Sequence, residues 1–589
     1  MRAPDTSHVK IRMNDSERRR KIVACFLVLV FFAAASARTS SLDVPTHPGD
    51  LGKLADDYFS PLITSKKISA AAIVVLDHQK SVFSKCYGPI DLEHSLWRAA
   101  SVSKAVTAIG VMRLVEQNKL DLDRDVNQYL KTFQIPNTHE RPITLRELLE
   151  HRSGLDDRFI GDGFRSGEQP AMRELMAHFL PDRVYAPGQV EFYSNYGYGL
   201  VGAVIEDVTG TRFEDYMQAS VLQPLGMNHS SFQQPLPPNV RALTAPGHWW
   251  YQHAAPAGGL AVTAEDAARF LIGISQQDNS VISAETFRTM TAPQTAPSGL
   301  VHRLGYWTGK RHGYQLIGAS GDLGTFHSIL VAVPEREIGL VILVSGNISP
   351  GAVGFYNRFL DAQIGSQTPE VARTATVSRE NGSSYQQNAR LSGLYRTVRY
   401  PHHEMSKTFI AFNLTRVAVE QDGSLRFGGA RWIQTAPFRF EKEDGSETVS
   451  FQEDDVGKIK FMTTSGRGET DERVAWYETG FANIVFYSLF TSFFGVGAWR
   501  AKGVLRLFCA LAVVHSLGWV GVGAIPGPGN LVMGLPWPLE LILWVGTAVP
   551  LMAVSAIYLA WRRRDVFAIG TAFALACYIP FVFYWNLHA

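Results

Sequence analysis

One serine and one lysine in this chain have the spacing that a nucleophile and its base require. Ser101 and Lys104 stand three residues apart at the start of a predicted helix. Residues three apart share a helix face, so the lysine amine can reach the serine hydroxyl. The positive end of the helix dipole and burial would both disfavour the ammonium form and make Lys104 available as a base.

The alternative is an ordinary helix with a serine cap and one solvated lysine. The same Ser-x-x-Lys spacing also occurs from Ser7 to Lys10, in the tail that precedes any structural element. The motif by itself therefore does not decide between a catalytic pair and a capped helix.

A second candidate segment contains Tyr193 and Asn195, within the aromatic-rich stretch 187–198. A tyrosine beside a lysine can pass a proton between a nucleophile and a leaving group. An asparagine amide can bind a substrate carbonyl. Taken alone, such a segment fits a packed loop equally well.

A third candidate segment contains Ser320, Gly321 and Asp322, at the end of a predicted strand. Small residues let the backbone approach a substrate closely, and an N–H group there could complete an oxyanion hole with the N–H of Ser101. The alternative is a glycine-rich strand turn.

The order and context of the three segments resemble the serine β-lactamase and penicillin-binding-protein family, most closely its class C and D-aminopeptidase-like branch. The resemblance covers about residues 50–365. It extends to three further stretches: LLEHRSGL (148–155), VGAVIEDVTG (201–210) and PAGGL (256–260). Several matched segments in the family's order are far more specific than one Ser-x-x-Lys motif.

The resemblance implies a role for each candidate residue. Ser101 would be the acylated nucleophile and Lys104 its proton acceptor. Tyr193 would share the acid–base work, and Asn195 would position the substrate. Backbone N–H groups of Ser101 and Asp322 would form the oxyanion hole, in a substrate-binding strand that also holds Ser320 and Gly321. The reaction would be acyl transfer to water without a metal or an organic cofactor.

Position 319 departs from the family pattern. The family usually has Lys or His at the head of its third motif, and this chain has Ala319. That cation helps to hold a substrate carboxylate and tunes the site. We therefore expect a substrate without a carboxylate there, such as an acylated peptide, an amide or an ester. His151, in the matched stretch 148–155, fits no catalytic role and is interpreted as structural.

Strand patterns at both ends of this region enclose a mostly helical middle. Strands are predicted at 70–76, 81–87, 314–317, 325–333 and 338–345. Apolar residues at helical spacing predict a helix over 102–118. The arrangement predicts an α+β domain, an antiparallel sheet with flanking helices plus a helical region, whose sheet is completed by the C-terminal strands.

The whole chain of 589 residues is too long for one core, and its composition changes along its length. Residues 365–390 are rich in Ser, Thr, Gln and Asn and predict a linker. Short alternating strands with Asp-Gly turns then predict a small antiparallel β-module. The predicted order is a signal peptide (1–37), the hydrolase-like domain (38–364), the linker (365–390), the β-module (391–475) and four transmembrane helices (481–585).

The N-terminus is typical of a secretory signal. Residues 18–21, which are Arg-Arg-Arg-Lys, precede an apolar run at 22–32, and Ala35-Ser36-Ala37 fits a cleavage site. An uncleaved signal anchor is the alternative and would give the same orientation.

The C-terminal part contains four apolar stretches, each long enough to cross a bilayer as a helix: 481–499, 504–525, 539–561 and 566–585. The loops between the first pair and between the last pair carry the basic residues, so the positive-inside rule places both loops in the cytoplasm. Residues 38–480 would then lie outside. We expect a multi-pass protein of the cell inner membrane with its soluble part on the periplasmic side.

Composition excludes other classes of protein. The net charge is only +2, from 56 Lys and Arg against 54 Asp and Glu, which does not indicate a nucleic-acid partner. Of the four cysteines, only Cys86 lies in the water-facing part, so a disulfide framework or a Cys-based metal site is not expected there.

The function predicted from these features is hydrolysis of an amide or ester bond in a small-molecule or peptide substrate by a membrane-anchored enzyme. One alternative is a catalytically weak binding or sensor protein that uses the same pocket, which Ala319 favours. Another is a true penicillin-binding carboxypeptidase or β-lactamase.

Overall fold

The computed structural model describes residues 48–589 except 166, 168, 237–243, 248, 276–280, 293–301, 347–349, 366–382, 446, 466–468, 525–527 and 565. The predicted signal peptide (1–37) and most of the predicted linker lie outside the described residues. The last part of that linker forms a helix, Ser383–Asn388. The Asn388 amide donates a hydrogen bond to the Gly423 carbonyl of the β-module (2.8 Å).

The first domain is organised around one large antiparallel sheet. Its strands are β1 (Ile68–Asp77), β2 (Lys80–Tyr87), β3 (Trp97–Arg98), β4 (Gly163–Phe164), β5 (Tyr251–Gln252), β6 (Ala261–Val262), β7 (His302–Arg303), β8 (Tyr306–Arg311), β9 (Tyr314–Leu323), β10 (Phe326–Val333) and β11 (Ile338–Gly346). Seven of them form the sheet β2-β1-β11-β10-β9-β8-β7, and β3 pairs with β6 and β4 with β5. Ile73 of β1 lies opposite Ile342 of β11, so the C-terminal hairpin completes the sheet as predicted.

Helices cover the sheet and fill the middle of the domain. They are α1 (Pro48–Thr64), α2 (Val102–Glu116), α3 (Leu145–Leu149), α4 (Met172–His178), α5 (Asn195–Thr209), α6 (Phe213–Met217), α7 (Ala255–Gly258), α8 (Ala264–Ser275), α9 (Ala284–Thr291) and α10 (Pro350–Ile364). Short 3-10 or π turns occur at Val126–Gln128, Gln218–Leu222 and Pro334–Arg336. The predicted α+β class is confirmed.

Strand β1 separates two hydrophobic cores because its alternate side chains point to opposite faces. Val74 packs in the same core as Ile109 of α2. Ile73 packs in the other core with Phe59 of α1 and Phe355 of α10. A strand buried on both faces is apolar at nearly every position, as the sequence ISAAAIVVLD is. The sheet therefore forms a rigid base for α2, the helix that follows Ser101.

The predicted β-module is confirmed, and it is a closed antiparallel barrel. Its strands are β12 (Gly393–Thr397), β13 (Thr415–Val419), β14 (Leu425–Phe427), β15 (Ala430–Ala436), β16 (Arg439–Lys442), β17 (Thr448–Glu453), β18 (Ile459–Thr464) and β19 (Glu469–Arg473). Tyr395, Trp432, Phe440 and Phe451 are among the side chains that fill it. The helix α11 (Ser383–Asn388) and 3-10 turns at Ala389–Leu391 and Met405–Phe412 flank its first strand.

Four apolar helices follow the barrel: α12 (Gly480–Arg500), α13 (Val504–Ala524), α14 (Trp537–Arg563) and α15 (Val566–Tyr584), with 3-10 turns at Trp476–Glu478 and Pro528–Met533. Three of them, α12, α14 and α15, are long and apolar enough to cross a membrane. In α13, the apolar stretch among the described side chains is shorter and runs over Val504–Gly518. Four membrane spans therefore remain a prediction. Three of the four helices have the length and composition that a membrane span requires.

Candidate active site

The segment that carries Ser101 is held on both sides by buried hydrogen bonds. The N–H of Ala99 donates to the Leu260 carbonyl (2.9 Å), and the Ser328 hydroxyl donates to the Ala99 carbonyl (2.7 Å). Ala100 has φ of +49°, a left-handed conformation that is uncommon for a residue with a side chain. The chain therefore turns sharply just before Ser101, which ends up partly exposed at the start of α2.

Lys104 projects from the first turn of α2 into a polar pocket beside Ser101. Its Nζ lies 3.1 Å from the Ser101 Oγ and 2.8 Å from the Asn195 Oδ1, and 2.9 Å from the Ala257 carbonyl oxygen. Only 3% of Lys104 is exposed, and helix α2 is buried on nearly all of its faces. Burial lowers the pKa of Lys104, because an ammonium loses its hydration there.

Tyr193 lies against Lys104 and is supported from behind by His151. The Lys104 Nζ is 4.7 Å from the centre of the Tyr193 ring, and the His151 ring stacks on it with centroids 4.0 Å apart. Burial alone would raise the pKa of Tyr193, but the positive charges of Lys104 and of Arg399 in the barrel lower it. A lowered pKa makes the phenol a better proton donor.

His151 contacts the site residue Tyr193. The sequence indicated only a structural role for His151, so this contact was not predicted. Its Nδ1 accepts a hydrogen bond from the Ser194 N–H (3.2 Å). Burial and the neighbouring positive groups hold the pKa of His151 well below its usual range, so the ring is neutral. It fixes the Tyr193 ring by stacking. Its place in the matched stretch 148–155 was the one signal in the sequence.

Asp157 organises the start of helix α5, which carries Asn195. Its Oδ1 accepts hydrogen bonds from the N–H groups of Asn195 and Tyr196, both at 3.0 Å, and from the Ser194 hydroxyl (3.3 Å). A carboxylate that accepts the free N–H groups at a helix start is a strong cap. Asn195 is thereby oriented so that its amide oxygen accepts a hydrogen bond from Lys104, and its contact with a substrate stays a prediction.

The third predicted segment lies on β9, directly beside the nucleophile. A side chain at Gly321 would place its Cβ 2.5 Å from the Ser101 nitrogen, so only glycine lets the two backbones approach this closely. Ser320 and Asp322 are exposed on the opposite face of the strand, and the Asp322 carboxylate contacts His327. Ala319 is 5% exposed and belongs to the core, so this strand offers no cation at that position.

The structure thus brings together all the predicted site residues except for the side chains of Ser320 and Asp322, which point away from Ser101. The three predicted segments lie at the start of α2, at the start of α5 and on β9, and the packing of these elements sets the distances between them. No group of three or more His, Cys, Asp or Glu side chains suited to a metal ion occurs among the described residues.

Near the site, the buried carboxyl group of Asp162 makes the stability of the folded protein depend on pH. Asp162 is 8% exposed, and its Oδ2 accepts a hydrogen bond from the Gln252 amide (2.7 Å). Burial, together with the negative charge of Asp157, raises the pKa of Asp162 to about 8. The native protein therefore retains a proton that the unfolded chain loses above its ordinary carboxyl pKa.

We expect Asp162→Asn to be increasingly more stable than the wild type as the pH rises from 5 to 8. Between the unfolded and the folded pKa, the native state binds more protons, so wild-type stability falls with rising pH, and the amide removes this loss. Melting temperatures of the full-length proteins in detergent would measure the difference. A difference that stays constant over this range would contradict the assigned protonation.

Comparisons with known proteins identify the family of this chain. The Beta-lactamase family profile matches residues 55–391. "Protein flp" of Staphylococcus aureus (strain N315) is 23% identical over 304 residues, which cover 48% of this chain and 60% of that protein. "Putative beta-lactamase-like 1" of Homo sapiens is 26% identical over 286 residues, covering 44% of this chain and 56% of that one. The matched region therefore spans less than two thirds of these relatives.

Among solved structures, the octameric penicillin-binding protein homologue from Pyrococcus abyssi is 22% identical, with a TM-score of 0.45, and covers 72% of this chain and 99% of that chain. The family match ends at residue 391, just before the first barrel strand at Gly393. It takes in more than half of the 589 residues and includes Ser101, Lys104 and Tyr193. This chain belongs to the Beta-lactamase family, within the superfamily of β-lactamase- and transpeptidase-like serine hydrolases.

Proposed function

We propose that the chain is a membrane-anchored serine hydrolase that cleaves an amide or ester bond through an acyl-enzyme at Ser101. The observation that carries this proposal is the contact of 3.1 Å between the Lys104 Nζ and the Ser101 Oγ, with Lys104 buried. A buried lysine with a lowered pKa is present as the neutral amine to a greater extent than an exposed lysine at the same pH, and only the neutral amine can accept the serine proton.

In the first step, the Lys104 amine takes the proton of the Ser101 hydroxyl while Oγ forms a bond to the substrate carbonyl carbon. The carbonyl oxygen becomes negatively charged and is held by the backbone N–H groups of Ser101 and Asp322. Such preorganised donors stabilise the transition state by electrostatics. The close approach of Gly321 to the Ser101 nitrogen supports this placement, because it brings strand β9 beside the nucleophile.

In the second step, the bond to the leaving group breaks and the leaving atom takes a proton from Tyr193, which recovers one from Lys104. Water then attacks the ester and gives a proton to the same pair, and Ser101 regains its hydrogen as the acid product leaves. The Asn195 amide oxygen holds the Lys104 amine in place throughout (2.8 Å).

The membrane part sets where this reaction takes place. Helices α12, α14 and α15 have the length and composition of membrane spans. The loops with Arg500 and Lys502 and with residues 562–564 are basic, which supports a cytoplasmic position for both. The barrel and the catalytic domain then lie on the outer, periplasmic side of the inner membrane, where peptides or acyl compounds near the surface are the substrates. Ala319 favours substrates without a carboxylate near β9.

The experiment that tests the proposal is intact-mass spectrometry of the full-length protein in detergent after incubation with p-nitrophenyl acetate. The wild type is expected to gain one acetyl group, which peptide mapping locates on Ser101, and to release nitrophenol repeatedly. Ser101→Ala is expected to gain none. Ser84→Ala, a change at an exposed serine of β2, is the matched control and should behave as the wild type.

A folded wild type that gains no acetyl group and hydrolyses no ester would contradict the proposal. It would favour the alternative of a binding protein that retains the pocket, with Ala319 as its supporting observation. A stable adduct without turnover would retain Ser101 as the nucleophile and limit the proposal to acylation.

A further inference from the structure

The barrel contributes a charged side chain to the candidate active site. Arg399 follows the barrel strand β12 and lies outside the part of the chain that matches the family. The central carbon of its guanidinium is 4.0 Å from the centre of the Tyr193 ring. Arg399 is exposed, and it contacts the same ring on which His151 stacks. This distance is well within the range of a cation–π contact.

The backbone that carries Arg399 is fixed on its barrel side. Val398 is fully buried in a small core with Tyr185 and Phe192 of the catalytic domain. Its N–H donates to the Thr470 carbonyl (2.9 Å), and the Arg399 N–H donates to the Thr397 hydroxyl (3.1 Å). The backbone position of Arg399 is therefore set by packing between two domains.

The same segment is fixed on its other side by two buried or partly buried carboxylates. Asp156 of the catalytic domain accepts hydrogen bonds from the N–H groups of His402 (2.9 Å) and His403 (3.2 Å). Glu404 accepts from the N–H groups of Phe159 and Ile160, the latter at 3.0 Å. Residues 398–404 thus bridge the barrel and the site, and Arg399 lies near the start of this bridge.

The charged and titratable groups around Tyr193 come from every element packed on it. Lys104 of α2 contributes the amine that serves as the base, and Arg399 of the bridge contributes a permanent positive charge. His151 is neutral, and the ring of His302 lies 5.5 Å away edge-on and is paired with Glu191. Asp157, at the start of α5, contributes the nearby carboxyl group. No group on β9 supplies positive charge here, because its position 319 is alanine.

We propose that Arg399 is a positioning residue of the active site, which stabilises negative charge on the Tyr193 oxygen while that tyrosine passes a proton to the leaving group. The barrel thereby supplies the positive charge that Ala319 does not. The inference rests on the proposed function. The proton leaves the Tyr193 oxygen for the leaving group and is replaced from Lys104, so Arg399 gains and loses no proton and acts only through its charge.

The pKa values of Tyr193 and Lys104, the two groups that the charge of Arg399 affects, support this assignment. Burial raises the pKa of Tyr193, and the charges of Lys104 and then of Arg399 lower it. Burial lowers the pKa of Lys104, the neighbouring Tyr193 raises it, and the charge of Arg399 lowers it further. Removal of the charge should therefore raise both values and move the working pH range upward.

The test measures the rate of Ser101 acylation by a neutral ester against pH, in full-length protein in detergent. Arg399→Gln is expected to be about tenfold to a hundredfold slower at neutral pH, with the rising limb of the profile displaced upward by on the order of one pH unit. Arg399→Lys should keep the limb near its wild-type pH. Arg416→Gln, at an exposed barrel arginine on β13, is the matched control and should leave rate and profile unchanged.

Three other outcomes would overturn the proposal. A wild type that acylates normally, with an Arg399→Gln variant slowed equally at every pH, would show a structural role only. A loss confined to the KM of an ester that carries a carboxylate would show that Arg399 binds substrate rather than acting through Tyr193. A wild type without acylation would overturn the proposed function together with this inference.

Discussion

Lys104→Met is expected to slow acylation of Ser101 by about a hundredfold to ten-thousandfold, the usual contribution of a positioned general base. The methionine fills the same buried volume without an amine, so nothing remains to accept the Ser101 proton. Asn195 also loses its hydrogen-bond partner. Loss of the amine removes the cost of burying it but leaves the Asn195 amide oxygen and the Ala257 carbonyl without this donor. Because these two effects oppose each other, the melting temperature should change less than the rate. Burst kinetics with a chromogenic ester would measure the rate.

Lys66→Met is the matched control for this change, because Lys66 is an exposed lysine in the turn between α1 and β1. It should acylate as the wild type does. A Lys104→Met variant that is folded and acylates within a few-fold of the wild-type rate would exclude Lys104 as the base. The proton acceptor would then have to be sought at Tyr193.

Arg396→Met is expected to give the largest loss of stability. Arg396 on β12 is buried, and its Nε donates to the Glu472 carboxylate of β19 (2.8 Å). Its Nη2 donates to Glu478 just before α12 (3.0 Å) and to the Tyr584 hydroxyl at the end of α15 (3.3 Å). One guanidinium thus connects the barrel to the first and the last apolar helix.

Methionine at this position would leave two carboxylates partly buried without their cation. Breaking such a buried pair costs on the order of 3–5 kcal/mol. The melting temperature of the full-length protein should fall clearly, and limited proteolysis should cut between the barrel and α12. Arg426→Met, which breaks the exposed pair of Arg426 with Glu420, is the control and should cost less than about 1 kcal/mol. Equal effects of the two changes would contradict the assigned network.

The sequence predicted most of the fold because its patterns are local. The stretches 325–333 and 338–345 are rich in β-branched residues and joined by a short turn, which predicted a hairpin that the structure confirms as β10 and β11. Asp-Gly turns identified the β-module. That the module closes into a barrel depends on pairing between its first and last strands, Tyr395 with Arg473, which are far apart in the chain and leave no local signal.

In the apolar C-terminal helices, too, the local features were predictable from the sequence and the long-range contacts were not. Their length and hydropathy are properties of consecutive residues, and so their positions were predicted within a few residues of α12, α14 and α15. The contacts of Arg396 with Glu478 and Tyr584 join residues that are 82 and 188 positions away in the chain. No pattern along the sequence indicates that such residues meet.

The sequence by itself determined the chemistry of the central pair, because Ser101 and Lys104 lie within one helical turn and helix geometry alone brings their side chains together. Only the tertiary structure decided what surrounds that pair. Burial by the sheet and the middle helices lowers the pKa of Lys104, and long-range packing brings both His151 and Arg399 against the ring of Tyr193. Burial and electrostatic environment are sums over residues distant in the chain, so they arise only when the chain has folded.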